Sequence, residues 1–327
     1  MSQLPAQPRY EQTNYWRNYL PFLPASLRLN NGDQAVETWW AWRGASIHLD
    51  HYPAEAASLT VIILHGGGGY GRLLAPYAQM LHQQGFEVIA PDLPGYGLTQ
   101  TPDHLIDHDR WVECVVDLVQ RVKRSPDHPV VLLGCSLGGY LAYLAAARSR
   151  AVSAIIATTL ADPRQAEVQR RFARFPRLLP LTRPFLPLID HLFGRLRLPI
   201  KWFSNMRAIA NEPALSALFC QDPFGGGRRV PIHFLYSVLT AAPDVEPEYF
   251  AQCPVLLIHP ADDRWTPLNI SAPFFNRIRA PKQLVLLENA GHFPVEEPGV
   301  NQMLDAIVAF LRKQDNTTGS ASSVGAS

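Results

Sequence analysis

Gly134-Cys135-Ser136-Leu137-Gly138 follows the apolar run Val130 to Leu133 and opens a stretch of small residues, Gly138 to Ala147. A match to G-x-S-x-G occurs often by chance. Between a buried strand and a small-residue helix it implies a specific geometry. A serine on a sharp strand-to-helix turn needs flanking glycines, because a Cβ there would collide with adjoining backbone. The turn presents the hydroxyl at the sheet edge, and the helix N-terminus behind it favours a developing negative charge. Ser136 is therefore the candidate nucleophile. Cys135, one residue earlier, points elsewhere and reads as packing.

Three further stretches have the same strand-then-loop form. Leu59 to Leu64 (LTVIIL) ends at His65-Gly66-Gly67-Gly68-Gly69. Glycines let backbone N–H groups approach a substrate oxygen closely. The amides of Gly67 and Leu137 are the candidate oxyanion donors, with Gly68 as the substitute. His65 reads as a structural histidine orienting this loop. Pro254 to His259 precedes Asp262-Asp263-Arg264-Trp265-Thr266-Pro267. A carboxylate at the C-terminal end of a strand suits a residue that orients a histidine, and Asp262 and Asp263 compete for that role. Gln283 to Leu287 precedes Asn289-Ala290-Gly291-His292-Phe293-Pro294. Of eleven histidines, His292 alone has a glycine before it and a strand just upstream. On a loop after the last strand, such a histidine reaches over a nucleophile as general base.

The rest of the chain supplies the frame. Ala35 to Trp42 and Ser46 to Tyr52 alternate in polarity around Arg43-Gly44, as a hairpin does. A helix is expected over Leu73 to Gln84, stopped by Gly85, then a strand over Phe86 to Ala90. A turn-rich loop, Asp92-Leu93-Pro94-Gly95-Tyr96-Gly97, follows. Asp109 to Lys123 is amphipathic, with Trp111, Val115, Leu118, Val119 and Val122 on one side. Val152 to Thr158 is a further strand. Alternating strands and helices imply a parallel sheet wrapped by helices. The rhythm stops at Pro163, with Pro-rich helical patches and a Gly225-Gly226-Gly227 loop but no strand of the same type, and resumes near residue 251. The expected organisation is an N-terminal extension (1–34), one α/β domain (35–162 and 251–313), a cap insertion (163–250) and a disordered Ser/Thr/Gly/Ala-rich tail (314–327). Val300 to Lys313 forms the closing helix.

Composition excludes several classes. The net charge of +1 gives no global attraction to nucleic acid. Cys114, Cys135, Cys220 and Cys253 show neither CxxC pairing nor Cys/His metal spacing, so buried free thiols are expected and no metal is implied. The Gly66–Gly69 run is not a GxGxxG loop with a ribose acid and lacks the lysine of a P-loop. No cofactor is implied. Residues 1–22 are broken by prolines and carry charge without an apolar core, so no secretory signal is read and a soluble cytoplasmic protein is expected.

At the acid-bearing loop the chain resembles the α/β-hydrolase family. In that family the acid typically stands four residues before a proline, as Asp263 does relative to Pro267, which favours Asp263 and leaves Asp262 as a turn or cap residue. The order Ser136, Asp263, His292 is also the family's order. The resemblance covers roughly Ala35 to Lys313 without the insertion. It implies a mostly parallel eight-stranded sheet flanked by helices with a helical cap, and a serine esterase. Gly139 after the elbow and the position of the cap are similar to the monoacylglycerol lipase and lysophospholipase-like branch, which implies a hydrophobic ester substrate. Serine at the elbow departs from the epoxide hydrolases and dehalogenases, which place Asp there, and from dienelactone hydrolases, which place Cys. Acyl transfer, amide hydrolysis and silent ligand binding use the same frame.

Within the insertion, Gln169 to Trp202 carries Arg170, Arg171, Arg174, Arg177, Arg183, Arg195, Arg197 and Lys201 against Asp190, its sole acid, with Phe and Leu interleaved. Two readings fit: an amphipathic lid that binds an acyl chain or touches a lipid surface, and an ordinary cap with a solvated basic face.

Overall fold

The computed structural model describes residues 7–13, 15–29 and 35–323, with side chains through residue 315. The chain opens with 3-10 turns at Tyr10–Gln12, Tyr15–Phe22 and Ala25–Leu27, which bury Tyr10, Tyr19 and Leu27. β1 (Val36–Trp42) and β2 (Ala45–Tyr52) form the expected hairpin. Arg43 and Gly44 turn it with φ of 47° and 85°, the paired positive values of a tight hairpin turn.

The parallel part of the sheet starts at β3 (Thr60–Leu64). A 3-10 turn, Gly71–Leu74, leads into α1 (Ala75–Gln83), and Gly85 ends the segment at φ 90°. β4 (Glu87–Pro91) follows. α2 (His108–Val122) is capped by the Asp107 carboxylate, which accepts from the Asp109 and Arg110 amides. Its apolar face is buried, and the Trp111 indole donates to Pro94 O at 2.8 Å. β5 (Val130–Gly134), α3 (Leu137–Ser149) and β6 (Ala154–Ala157) complete the first half.

The insertion between β6 and β9 contains α4 (Ala166–Phe172), α5 (Leu179–Thr182), α6 (Leu186–Phe193), β7 (Arg197–Pro199), α7 (Pro213–Gln221), β8 (Arg229–Pro231) and α8 (Ile232–Thr240). β7 and β8 pair antiparallel within this mainly helical insertion. Each is three residues long and ends in proline, too short to show periodicity. The core then resumes with β9 (Val255–Pro260), α9 (Leu268–Arg277), β10 (Lys282–Leu287) and α10 (Gly299–Ser323). α10 continues through the stretch from Gln314 that was expected to be disordered, and residues 324–327 lie outside the described chain.

The eight-stranded sheet runs β1-β2-β4-β3-β5-β6-β9-β10 and is parallel from β4 onward. β3, β5, β6 and β9 are buried along their whole length, because helices cover both faces. That is why they read as unbroken Val/Ile/Leu runs. The loops at the C-terminal ends of β3, β5, β9 and β10 carry every candidate site residue to one edge of the sheet.

Candidate active site

β5 ends in the elbow. Ser136 sits at φ 56° and ψ −125°, a strained conformation for a non-glycine residue. A Cβ on Gly134 would lie 2.0 Å from Gly138 O, and one on Gly138 would lie 2.3 Å from Leu64 O. The Ser136 amide donates to Thr158 Oγ1 at 2.9 Å, which ties the turn to the residue just beyond β6. Burial pushes the Cys135 thiol up to about 12, so it is protonated at neutral pH.

The elbow faces His292. His292 Nε2 is 2.8 Å from Ser136 Oγ, and His292 Nδ1 is 2.8 Å from Asp263 Oδ2. Asp263 and His292 are both buried. Asp263 also accepts from the Trp265 and Thr266 amides, each at 2.8 Å, and from the Thr266 hydroxyl at 2.8 Å. Burial raises the carboxyl pKa, but His292 and the Thr266 donors outweigh it and hold the group well below the usual carboxylate range. The Asp262 side chain is exposed; its amide donates to Ala290 O and so braces the histidine loop. Of the two competing acids, only Asp263 meets His292.

The histidine loop is fixed from several sides. Asn289 takes a left-handed conformation at φ 57°, the Gly291 amide donates to Glu296 Oε2, and the Phe293 amide donates to Ile209 O in the insertion. Trp265 lies beside the imidazole, with ring centroids 4.8 Å apart.

The glycine loop after β3 packs against the elbow. A Cβ on Gly66 would meet Ser136 Cβ and Cys135 O, each at 2.9 Å. His65 is buried and bonded on both ring nitrogens: Nδ1–H donates to Gly66 O at 2.8 Å, and Nε2 accepts from the Leu93 amide at 3.0 Å. Burial pushes its pKa down to about 4, so it stays neutral and fixes the loop, as expected. Gly67, Ser136 and Leu137 line one cavity, and the amides of Gly67 and Leu137 carry no hydrogen bond to another protein group among the described residues. Gly68 takes a left-handed conformation at φ 81°, where a Cβ would lie 2.5 Å from Met206 Cε.

That cavity has a volume of about 770 Å³ and is walled mainly by insertion residues, among them Phe172, Leu178, Leu186, Ile200, Phe234 and Leu239.

Sequence reasoning missed two features. Thr266, three residues after Asp263, was visible only as part of the turn. The second is a buried charge network behind the glycine loop. Arg72 binds Asp50 through Nε and Nη2 at 2.5 and 2.8 Å and reaches Glu37 at 3.3 Å. Burial opposes the charge on His48, but Asp92, Glu37 and Asp50 push its pKa up to about 10. Asp92 in turn accepts from the Tyr10 hydroxyl and the Gly71 and Leu98 amides. Glu37, His48 and Asp50 are close enough to hold a metal ion, but Arg72 already supplies their cation.

A mostly parallel eight-stranded sheet, with a serine on a strained elbow after β5, defines an α/β hydrolase. The chain belongs to the serine aminopeptidase S33 family, whose sequence profile matches residues 55–299. It is 29% identical over 275 residues to polyketide transferase ATR5 of Stachybotrys chlorohalonatus (strain IBT 40285), covering 80% of this chain and 91% of that one. It is 23% identical over 277 residues to phospholipase YtpA of Bacillus subtilis (strain 168), covering 83% and 98%. The fold superposes on a soluble variant of monoglyceride lipase from Saccharomyces cerevisiae with a TM-score of 0.70 at 18% identity, over 89% of this chain and 98% of that structure. Among the described residues no helix is long and apolar enough to cross a membrane.

Proposed function

We propose that the protein hydrolyses a carboxylic ester of a hydrophobic acid, with Ser136 as nucleophile, His292 as general base and Asp263 as the group that orients it. The observation that carries this reading is the unbroken row Asp263–His292–Ser136, at 2.8 Å for each contact, opening onto a large apolar cavity. His292 takes the proton from Ser136 Oγ as it attacks the ester carbonyl. Asp263 holds the Nδ1–H tautomer and stabilises the imidazolium. The Gly67 and Leu137 amides receive the oxyanion, each donor contributing about 3 kcal/mol to the transition state. His292 then gives its proton to the leaving alcohol. It next activates the water that cleaves the acyl-enzyme.

Residues 163–250 act as a cap that supplies the acyl-binding wall. Their outer face supports contact with a lipid surface: Leu181, Phe185, Leu188 and Leu192 are each more than half exposed, with Arg183 among them. Acyl transfer through the same acyl-enzyme is the second reading, supported by the likeness to a polyketide transferase. Four free thiols support a reducing, cytoplasmic setting.

A fluorophosphonate probe tests the nucleophile, and a p-nitrophenyl ester series tests the substrate class. Labelling lost in Ser136→Ala, with turnover of medium-chain esters by the parent, is the expected result. Labelling that survives that substitution overturns the mechanism. Acyl transfer to an added alcohol outpacing hydrolysis selects the second reading.

A further inference from the structure

We propose that a second, basic cavity beside the apolar one binds the phosphate of an amphiphilic ester whose acyl chain fills the larger cavity. The inference rests on the esterase reading above and names the class of its leaving group. The cavity measures about 540 Å³ and lies between the segment from Lys201 to Arg207 and α7. Arg174, Lys201 and Arg207 line it, and no carboxylate does. By contrast, Arg164, Arg170, Arg171 and Arg197 elsewhere on the insertion have carboxylate partners. Arg174 bonds a backbone carbonyl, Lys201 O, at 3.1 Å, and none of the three cations forms an ion pair among the described residues.

Their charges converge. Burial raises the pKa of the Cys220 thiol in the cavity wall, and Lys201, Arg207 and Arg174 all act on it in the opposite sense. Three like charges brought to one concavity without a counter-ion repel one another, and a bound anion relieves that repulsion. Guanidinium forks match phosphate oxygens two at a time, and the lysine adds a compact charge. A phosphate monoester carries close to two negative charges at neutral pH, which suits three cations better than a single carboxylate does.

The position links this cavity to the site. Arg174, Trp202 and Ser204 line both cavities, and the larger one contains Ser136. A molecule lying across that shared wall places an apolar chain beside Ser136 and an anionic group among the cations. Leaving groups of the glycerol phosphate kind have this chemistry.

The test uses full-length protein carrying Ser136→Ala, so that no turnover is needed. Octyl phosphate, octanol and inorganic phosphate are titrated separately by calorimetry at low salt. Octyl phosphate is expected to bind about tenfold or more tightly than octanol, as charged hydrogen bonds contribute. Inorganic phosphate should bind more weakly than octyl phosphate. Adding Lys201→Gln and Arg207→Gln should bring the ratio of octyl phosphate to octanol affinity close to one. Arg207→Gln alone, at an exposed position, should lower the ratio if the double substitution does not fold. A ratio near one in the starting protein, or one that survives Arg207→Gln, overturns the proposal. Inorganic phosphate binding as tightly as octyl phosphate also overturns it, because the cavity would then serve a free anion. Failure of the esterase reading shows instead as a parent enzyme that labels or turns over no ester, whatever the calorimetry gives.

Discussion

The Thr266 hydroxyl lies 3.0 Å from His292 Nδ1 while it donates to Asp263 Oδ2 at 2.8 Å. The histidine proton is thus shared between a carboxylate oxygen and a hydroxyl oxygen, and the ring is gripped at two points. Thr266→Val removes one grip and one donor to Asp263. We expect kcat on a p-nitrophenyl ester to fall about tenfold, with the lower arm of the pH profile shifted; an unchanged profile would make Thr266 a packing residue.

Asp263→Asn should cost far more than Asp262→Asn. Asp263 is buried against His292, whereas Asp262 is exposed. The first substitution leaves the wrong tautomer and should lower kcat on the order of 10³- to 10⁴-fold. The second should stay within about twofold. The reverse ranking in measured kcat would reassign the acid.

Much of this site was legible before the structure because each candidate sits in a loop directly after an apolar run too short for a helix, with turn residues just beyond it. The hairpin turn at Arg43-Gly44 was readable from the two alternating runs that bracket it. The Thr266 contact was not readable, because a threonine in a turn has the same pattern whether or not it touches a histidine. The buried network was hidden for a different reason. Tyr10, Glu37, His48, Arg72 and Asp92 come from five separate segments, and only the fold brings them together. The strands β7 and β8, at three residues each, are too short to show a sustained alternation.

That network predicts a pH dependence of stability. The folded-state pKa of His48 lies near 10, above its unfolded value of 6.5. Its contribution is fully present below about pH 6.5 and is lost as the pH rises through 10. The unfolding free energy measured by urea titration should fall over that window by an amount on the order of 2–5 kcal/mol. His48→Gln should flatten the fall; an identical slope in that variant would place the titration elsewhere.

The apolar cavity predicts chain-length selection. Each CH2 buried contributes about 0.8 kcal/mol, so kcat/KM should rise several-fold per two carbons until the 770 Å³ space is filled. The preference should survive high salt. Equal kcat/KM for acetate and octanoate esters would sink the acyl-pocket reading.

The outer face of the cap predicts salt-sensitive binding to anionic vesicles, because exposed charges are screened within about 8 Å at physiological ionic strength. Equal binding to neutral and anionic vesicles would leave its arginines as a solvated surface.

The N-terminal segment is joined to the far end of the insertion: the Tyr19 hydroxyl donates to Asp222 at 2.8 Å, and the Tyr15 hydroxyl donates to Leu218 O at 3.1 Å. These contacts span 203 residues of chain. During synthesis the partners of Tyr15 and Tyr19 do not yet exist when the tyrosines leave the ribosome, and closing so long a loop is entropically costly until the intervening sheet has condensed. Residues 15 to 22 are therefore expected to settle late, fastening α7 only once the strands between them are assembled.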